Sequence, residues 1–273
     1  MRKVLAYKLA RTDGWDFYTG KTINYRDFIG KVVKCPNPNP KLGVCSRGVI
    51  HASKNSNDCF VGARIPCSAY RVEGKPACGD KTKWGFTELY ILEEIKDLDA
   101  LFGWQYSKAI NPINPLSRKV KPTKSDIALL KEWASVWVSV RDSVWDSVGD
   151  SVWDSVGVSV WDSVRASVGV SVWDSVRASV GASVGVSVWD SVRASVWDSV
   201  WDSVGAYIGR LFPNIKEWKY IKHKKGVYPY QPVVDLWERG LVPSFDGSKW
   251  LLHSGKKADI VFEITKQELL EVK

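Results

Sequence analysis

The chain has 273 residues, 45% of them apolar and 25% charged, and a formal net charge of +9. That is material for two small domains or one large one, and it excludes wholesale disorder. No run of about 18 uncharged apolar residues is present, and Lys8 interrupts the opening apolar run where a secretory core needs about seven positions. The expectation is a cytoplasmic protein (host cytoplasm if viral) with no membrane partner.

Val4–Ala10 and Trp15–Tyr18 read as short strands joined by a turn at Asp13-Gly14. Gly85–Ile95 alternates well enough to be a closing strand. Between them lies a loop-rich stretch that includes Cys35-Pro36-Asn37-Pro38-Asn39-Pro40. Residues 1–97 are therefore predicted to form a small β-rich α+β domain, with 98–124 as a linker. The five cysteines, at 35, 45, 59, 67 and 78, are odd in number and include no C-x-x-C pair, which argues against a disulfide framework and against zinc. No metal or cofactor is expected. His51 with Asp58 or Cys59 could be drawn as an acid–base or nucleophile pair. The structural alternative has His51 ending a strand and the cysteines as small buried apolar groups. Gly20-Lys21-Thr22 lacks the preceding Gly-x-x-x-x of a phosphate loop.

Ala6-Tyr7-Lys8, Gly48-Val49-Ile50-His51-Ala52 and Asp58-Cys59-Phe60 give this stretch its one likeness. It resembles an uncharacterised N-terminal domain of phage and environmental bacterial proteins that is followed by simple tandem repeats. The resemblance implies that architecture and a phage setting, and it carries no site residue over.

From Ser135 to Ala206 the chain is eighteen consecutive Ser-Val-x-x tetrads. The third position is Trp eight times (137, 145, 153, 161, 173, 189, 197 and 201), Gly six times and Arg four times. The fourth is Asp nine times, Ala five and Val four. Trp, Arg and Gly share neither size nor charge, but all can be written NGG, as Asp, Ala and Val can be written GNC. The array thus reads as a tandem twelve-base unit with one drifting base in each of its last two codons.

A closed β-solenoid burying the valines would also bury the aspartates, whose unpaired carboxylates are too costly; a coil with corners between valines escapes that argument and stays as the alternative. As an α-helix, the array turns its valine stripe by about 40° per tetrad and would be about 108 Å long if unbroken, so shorter packed helices, or association between chains, are predicted. The likeliest break is Gly181–Gly185. Asp162 with Arg165, Asp174 with Arg177, and Asp190 with Arg193 stand at helical-neighbour spacing. Thr123–Asp126 reads as a helix start and Pro213 as a stop, so residues 125–212 form the array region.

Residues 213–273 are predicted as a small α+β cap of the kind repeat arrays need. Val233–Gly240 reads as a short helix closed by glycine, Ser244–Gly247 as a turn, Lys249–His253 and Ile260–Ile264 as strands, and Thr265–Glu268 as a capping box. The array carries −5 and residues 1–124 carry +11. In the cap, Lys219, Tyr220, Lys222, Lys224 and Lys225 interleave with aromatic residues, a mixture able to stack on bases and neutralise phosphates.

No catalytic signature is present. The leading reading is a non-enzymatic repeat protein acting as scaffold, spacer or interaction surface, for a protein partner or for itself, with the repeat tryptophans and Arg165, Arg177 and Arg193 as binding groups. The alternatives are an enzyme in residues 1–97 acting on nucleotide or protein, and nucleic-acid binding through the basic ends. The code reading predicts near-identical twelve-base units in the DNA encoding residues 135–206. Sequencing that DNA checks it, and scrambled codons there would overturn it.

Overall fold

The computed structural model describes residues 2–44, 46–148, 155–181 and 197–271. The chain divides into two units, Met1–Tyr106 with Gly169–Ser175, and Ser107–Val168 with Val176–Lys273. Together they give a mixed α/β protein with two antiparallel sheets.

In the first unit, β1 (Val4–Ala10), β2 (Val32–Lys34), β3 (Ile50–Ser53), β4 (Ser68–Gly74), β5 (Cys78–Gly79), β6 (Lys83–Phe86) and β7 (Glu88–Ile95) form one sheet in the order β2-β7-β4-β1-β3-β6-β5. Only Thr87 separates β6 from β7 in the chain, yet three strands stand between them in the sheet. Across a flat sheet they would lie about 19 Å apart, far beyond the reach of one linking residue. The sheet therefore curls until the end of β6 meets the start of β7. Gly74 marks the corner, where a Cβ would lie 2.9 Å from the Phe86 and Leu89 side chains. Ala6, Ala10, Ile50, Ala52, Tyr70, Val72, Phe86, Leu89 and Ile91 fill the concave face, with Tyr25.

Two expected strands differ. Gly85–Ile95 is two strands with different neighbours, broken at Thr87. Trp15–Tyr18 contributes one bridge, Trp15 to Asn24, because the buried Asp16 carboxylate accepts from the Thr19, Thr22 and Ile23 amides at 2.7, 2.9 and 3.3 Å and folds the segment into a loop. Residues 98–110 carry two short helices, α1 (Leu98–Phe102) and α2 (Tyr106–Ile110). Within the first unit Asn57 holds the end of α1, donating to the Phe102 carbonyl and accepting from Trp104 Nε1, each at 3.0 Å.

The described tetrads fold as helices: α3 (Lys124–Val148), α4 (Ser155–Val168), α5 (Val170–Val180) and α6 (Trp197–Arg210). No closed β-solenoid occurs among the described residues. The second unit continues with α7 (Gln231–Glu238), a sheet in the order β10-β9-β8 formed by β8 (Val242–Phe245), β9 (Lys249–Ser254) and β10 (Asp259–Thr265), and α8 (Lys266–Glu271). The caps form as expected: Thr123 N donates to Asp126 Oδ2 at 2.7 Å, and Thr265 and Glu268 exchange bonds at 3.0 and 3.2 Å. The break that the described residues show is at Gly169, with φ +97° between α4 and α5; residues 182–185 of the expected break lie outside the described residues.

Short helices resolve the drift of the valine stripe. On α4, Val156, Val160 and Val164 are fully buried, while Val168, turned about 120° from the first, is half-buried. Val172, Val176 and Val180 are buried on α5, and Val200 and Val204 on α6. Helices α4 and α6 cross at Gly157 and Gly205, where a Cβ on Gly205 would lie 3.1 Å from the Gly157 Cα. Asp202 of α6, 2% exposed, accepts from the Val156 amide of α4 at 2.9 Å and from Trp137 Nε1 of α3. One carboxylate thus caps one helix and anchors an indole of another.

Gly205→Trp is a one-base change under the code reading, yet it should cost about 3 kcal/mol through overpacking at this crossing. Gly181→Ala, where the added Cβ meets nothing within 4 Å, should leave stability within about 1 kcal/mol or raise it. Urea denaturation of the two variants checks the contrast.

Candidate functional site

The array and the C-terminal module build a cleft of about 350 Å³ lined by Trp137, Val138, Arg141, Asp142, Phe245, Trp250 and Lys266. Its floor is aromatic: Trp250 meets Trp137 edge-on at 5.5 Å, and Phe245 lies 5.0 Å from Trp250 and 5.7 Å from Trp137. Trp137 is held by its bond to Asp202, and β8 is held by the Ser199 hydroxyl, which accepts from Phe245 N at 2.8 Å. Arg141 stacks over the Trp137 ring at 5.2 Å. Arg141, Lys266 and Asp142 are exposed at the rim, giving two cations to one carboxylate around an apolar base.

Of the sequence candidates, Trp137 joins this cleft. Trp173 is buried and groups with the first unit; Trp161 and Trp201 are half-buried. The side chains of Trp145, Trp153, Trp189, Trp197 and Arg193 fall outside the described residues. Of the expected pairs, Asp190 with Arg193 lies outside the described residues, and Arg165 and Arg177 stack on indoles. Arg165 lies over Trp161 and Arg177 over Trp201, both at 5.1 Å, while Asp162 turns to the C-terminal module. Sequence reasoning passed over Arg141 because it sought an aspartate three residues before each arginine. A tryptophan four residues before it was the available signal, since each of the four repeat arginines has one.

The basic segment after the array packs on α4. The Asp162 carboxylate accepts from Lys219 Nζ at 3.1 Å and from the Tyr220 hydroxyl at 2.8 Å, and these hydrogen bonds outweigh burial and hold its pKa below the ordinary aspartate value. Ser159 meets the Tyr230 hydroxyl at 2.6 Å, and Ser163 accepts from Lys219 N at 3.0 Å. Trp218, Tyr228 and Tyr230 pack edge-on, 5.0 to 6.1 Å apart, so these rings serve the interior. Lys225 pairs with Glu217 at 3.1 Å, and Lys222 and Lys224 are exposed.

In the first unit His51 sits on β3 opposite Gly85. Burial, with the positive charge of Lys8 and Lys83, pushes its pKa down to about 4, and its buried Nε2 has no hydrogen-bond partner. Cys59 donates to the Tyr7 carbonyl at 3.2 Å, and burial pushes its thiol up. Asp58 accepts from Asn55 at 3.1 Å. No hydrogen bond joins His51 to Asp58 or Cys59 among the described residues, and a neutral imidazole beside a protonated thiol is no activated pair. Cys35, Cys59, Cys67 and Cys78 are free thiols. Among the described residues no group of three or more His, Cys, Asp or Glu is placed to hold a metal, and no helix is long and apolar enough to cross a membrane.

Compared with protein-family models, curated proteins and solved structures, the chain matches none.

Asp162→Asn should lower stability by about 1 kcal/mol at pH 7. A carboxyl whose folded pKa is depressed contributes stability that is present above the unfolded value near 3.9 and is lost as pH falls through the folded value. The gap between wild type and variant should therefore be constant at neutral pH and close below about pH 4. Chemical denaturation at pH 7 and pH 3 checks it.

Proposed function

We propose that the chain is a non-enzymatic structural and interaction protein, in which the tetrapeptide array is a helical scaffold that carries the C-terminal module and its cleft. One observation carries this reading: repeat side chains supply the hydrogen bonds on which the module rests. Ser159 and Ser163 bind the backbone at Lys219, Ser199 binds the backbone of β8, and Asp162 binds Lys219 and Tyr220. The invariant serine thus does work that a spacer would not require. The cleft suits a planar anionic group on a partner, since it offers an aromatic floor with Arg141 and Lys266 above it.

Hydrogen exchange on the full chain tests the scaffold. Val160→Asp places a carboxylate in the fully buried valine stripe. It should strip protection from β8–β10 and from the segment around Trp218 while β1, β4 and β7 keep theirs. Unchanged protection in β8–β10 would overturn the reading.

A further inference from the structure

We propose that the cleft between α3 and the C-terminal module binds a free aromatic α-amino acid as its zwitterion. The proposal deepens the scaffold reading and rests on it, since the cleft exists only where the module is docked on the array. Helix α3 lines the cleft with two rows of side chains at helical-neighbour spacing, Trp137 with Arg141 and Val138 with Asp142. In each row an apolar residue is followed by a charged one a single turn, or about 5 Å, further along. One end of this wall is therefore apolar, and the other carries both signs of charge. Phe245 and Trp250 join Trp137 at the apolar end, and Lys266 adds a second cation to the lining.

The composition of the array singles out the same place. Trp137 is the one repeat tryptophan followed by valine, where the other seven are followed by aspartate. Arg141 is the one repeat arginine followed by aspartate, where the other three are followed by alanine. The two exceptions stand in successive tetrads. With the usual residues at 138 and 142, the wall would carry a carboxylate at its apolar end and none at its charged end. The exchange clears the indole's surroundings of charge and sets the carboxylate beside the cations.

Arg141, Asp142 and Lys266 are exposed, and among the described residues none of the three forms an ion pair. Stacking on Trp137 at 5.2 Å holds the Arg141 guanidinium over the cleft. Val138 and Phe245 are half-buried, which leaves apolar surface for a ring to cover. A ligand that satisfies this lining needs a flat apolar part and, one helical turn away, a carboxylate for Arg141 and Lys266 together with a cation for Asp142. An aromatic amino acid carries these three groups, and both of its α groups are charged at neutral pH. A simple aromatic acid would leave Asp142 without a partner, and a phosphate would set more negative charge against it. The volume of about 350 Å³ is at the small end for ligand clefts and suits a molecule the size of one amino acid.

Isothermal titration of the full chain with L-tryptophan tests the proposal. A dissociation constant of about 0.5 mM is expected from an ordinary ligand efficiency for a molecule of this size. Tryptamine, which lacks the carboxylate, and indole-3-propionate, which lacks the ammonium, should each bind about tenfold more weakly. Asp142→Asn should bring L-tryptophan down to the level of indole-3-propionate without weakening indole-3-propionate itself. Arg141→Gln should bring L-tryptophan down to the level of tryptamine without weakening tryptamine. The retained affinity for the truncated ligand shows that each variant keeps its cleft. Absence of binding at about 5 mM L-tryptophan, ten times the expected constant, or equal affinity for L-tryptophan and either truncated ligand, would overturn the proposal. The scaffold reading fails on a different readout, the hydrogen exchange of Val160→Asp, so a chain that passes that test and binds no L-tryptophan refutes the ligand alone.

Discussion

A valine every fourth residue is the constraint from which the second unit follows. Four residues overshoot one turn by about 40°, so three successive valines span about 80° and still share a face, while a fourth begins to leave it. Helix α4 shows the limit directly, with three valines fully buried and Val168 half-buried. The energetics point the same way. Ser, Val, Trp and Asp are each worse than alanine in a helix, together by about 2 kcal/mol per tetrad, and burying one valine returns about as much. A tetrad is thus helical where its valine is covered, and cover runs out after three or four tetrads. A break such as the one at Gly169, between α4 and α5, satisfies a repeat that a single long helix could not.

Identical tetrads do different work under that constraint. Ser159-Val160-Trp161-Asp162, Ser171-Val172-Trp173-Asp174 and Ser199-Val200-Trp201-Asp202 share one sequence. In the first, the aspartate reaches Lys219 and Tyr220 and the indole lies under Arg165. In the second, Trp173 is buried and Asp174 exposed; in the third, Asp202 is buried and Trp201 half-buried. The roles of indole and carboxylate are set by what each helix faces, and the drift of the stripe changes that from tetrad to tetrad. A coding unit that varies by single bases can therefore supply a differentiated interior, provided each helix finds partners for what it presents.

This division explains what was legible in the sequence. Features that depend on a few adjacent residues were readable: the boxes at Thr123–Asp126 and Thr265–Glu268, and the helix closed at Gly240. Features that depend on distant pairing were not. The curl of the sheet follows from β6 and β7 lying three strands apart across a single residue, and no local pattern encodes strand order. Asp16 reads as one more polar residue in a strand until the Thr19, Thr22 and Ile23 amides are seen around it. The cleft joins Trp137 and Arg141 to Phe245, Trp250 and Lys266, more than a hundred positions away, and although Trp137 alone among the repeat tryptophans is followed by valine rather than aspartate, nothing local says what it would meet.

Repetition also raises the problem of register, since sliding a helix by one tetrad preserves most of its local sequence. The crossing of α4 and α6 answers it. If α4 slipped by one tetrad in either direction, the position facing Gly205 would pass from Gly157 to Trp153 or Trp161. A single Cβ on Gly205 already lies 3.1 Å from the Gly157 backbone, so an indole on the facing position has no room. The same slip would draw the Val156 amide away from Asp202 and leave a buried carboxylate short of a donor. Steric exclusion at the glycines and the partners of one aspartate together select a single alignment, and the third-position residues fix which valines meet.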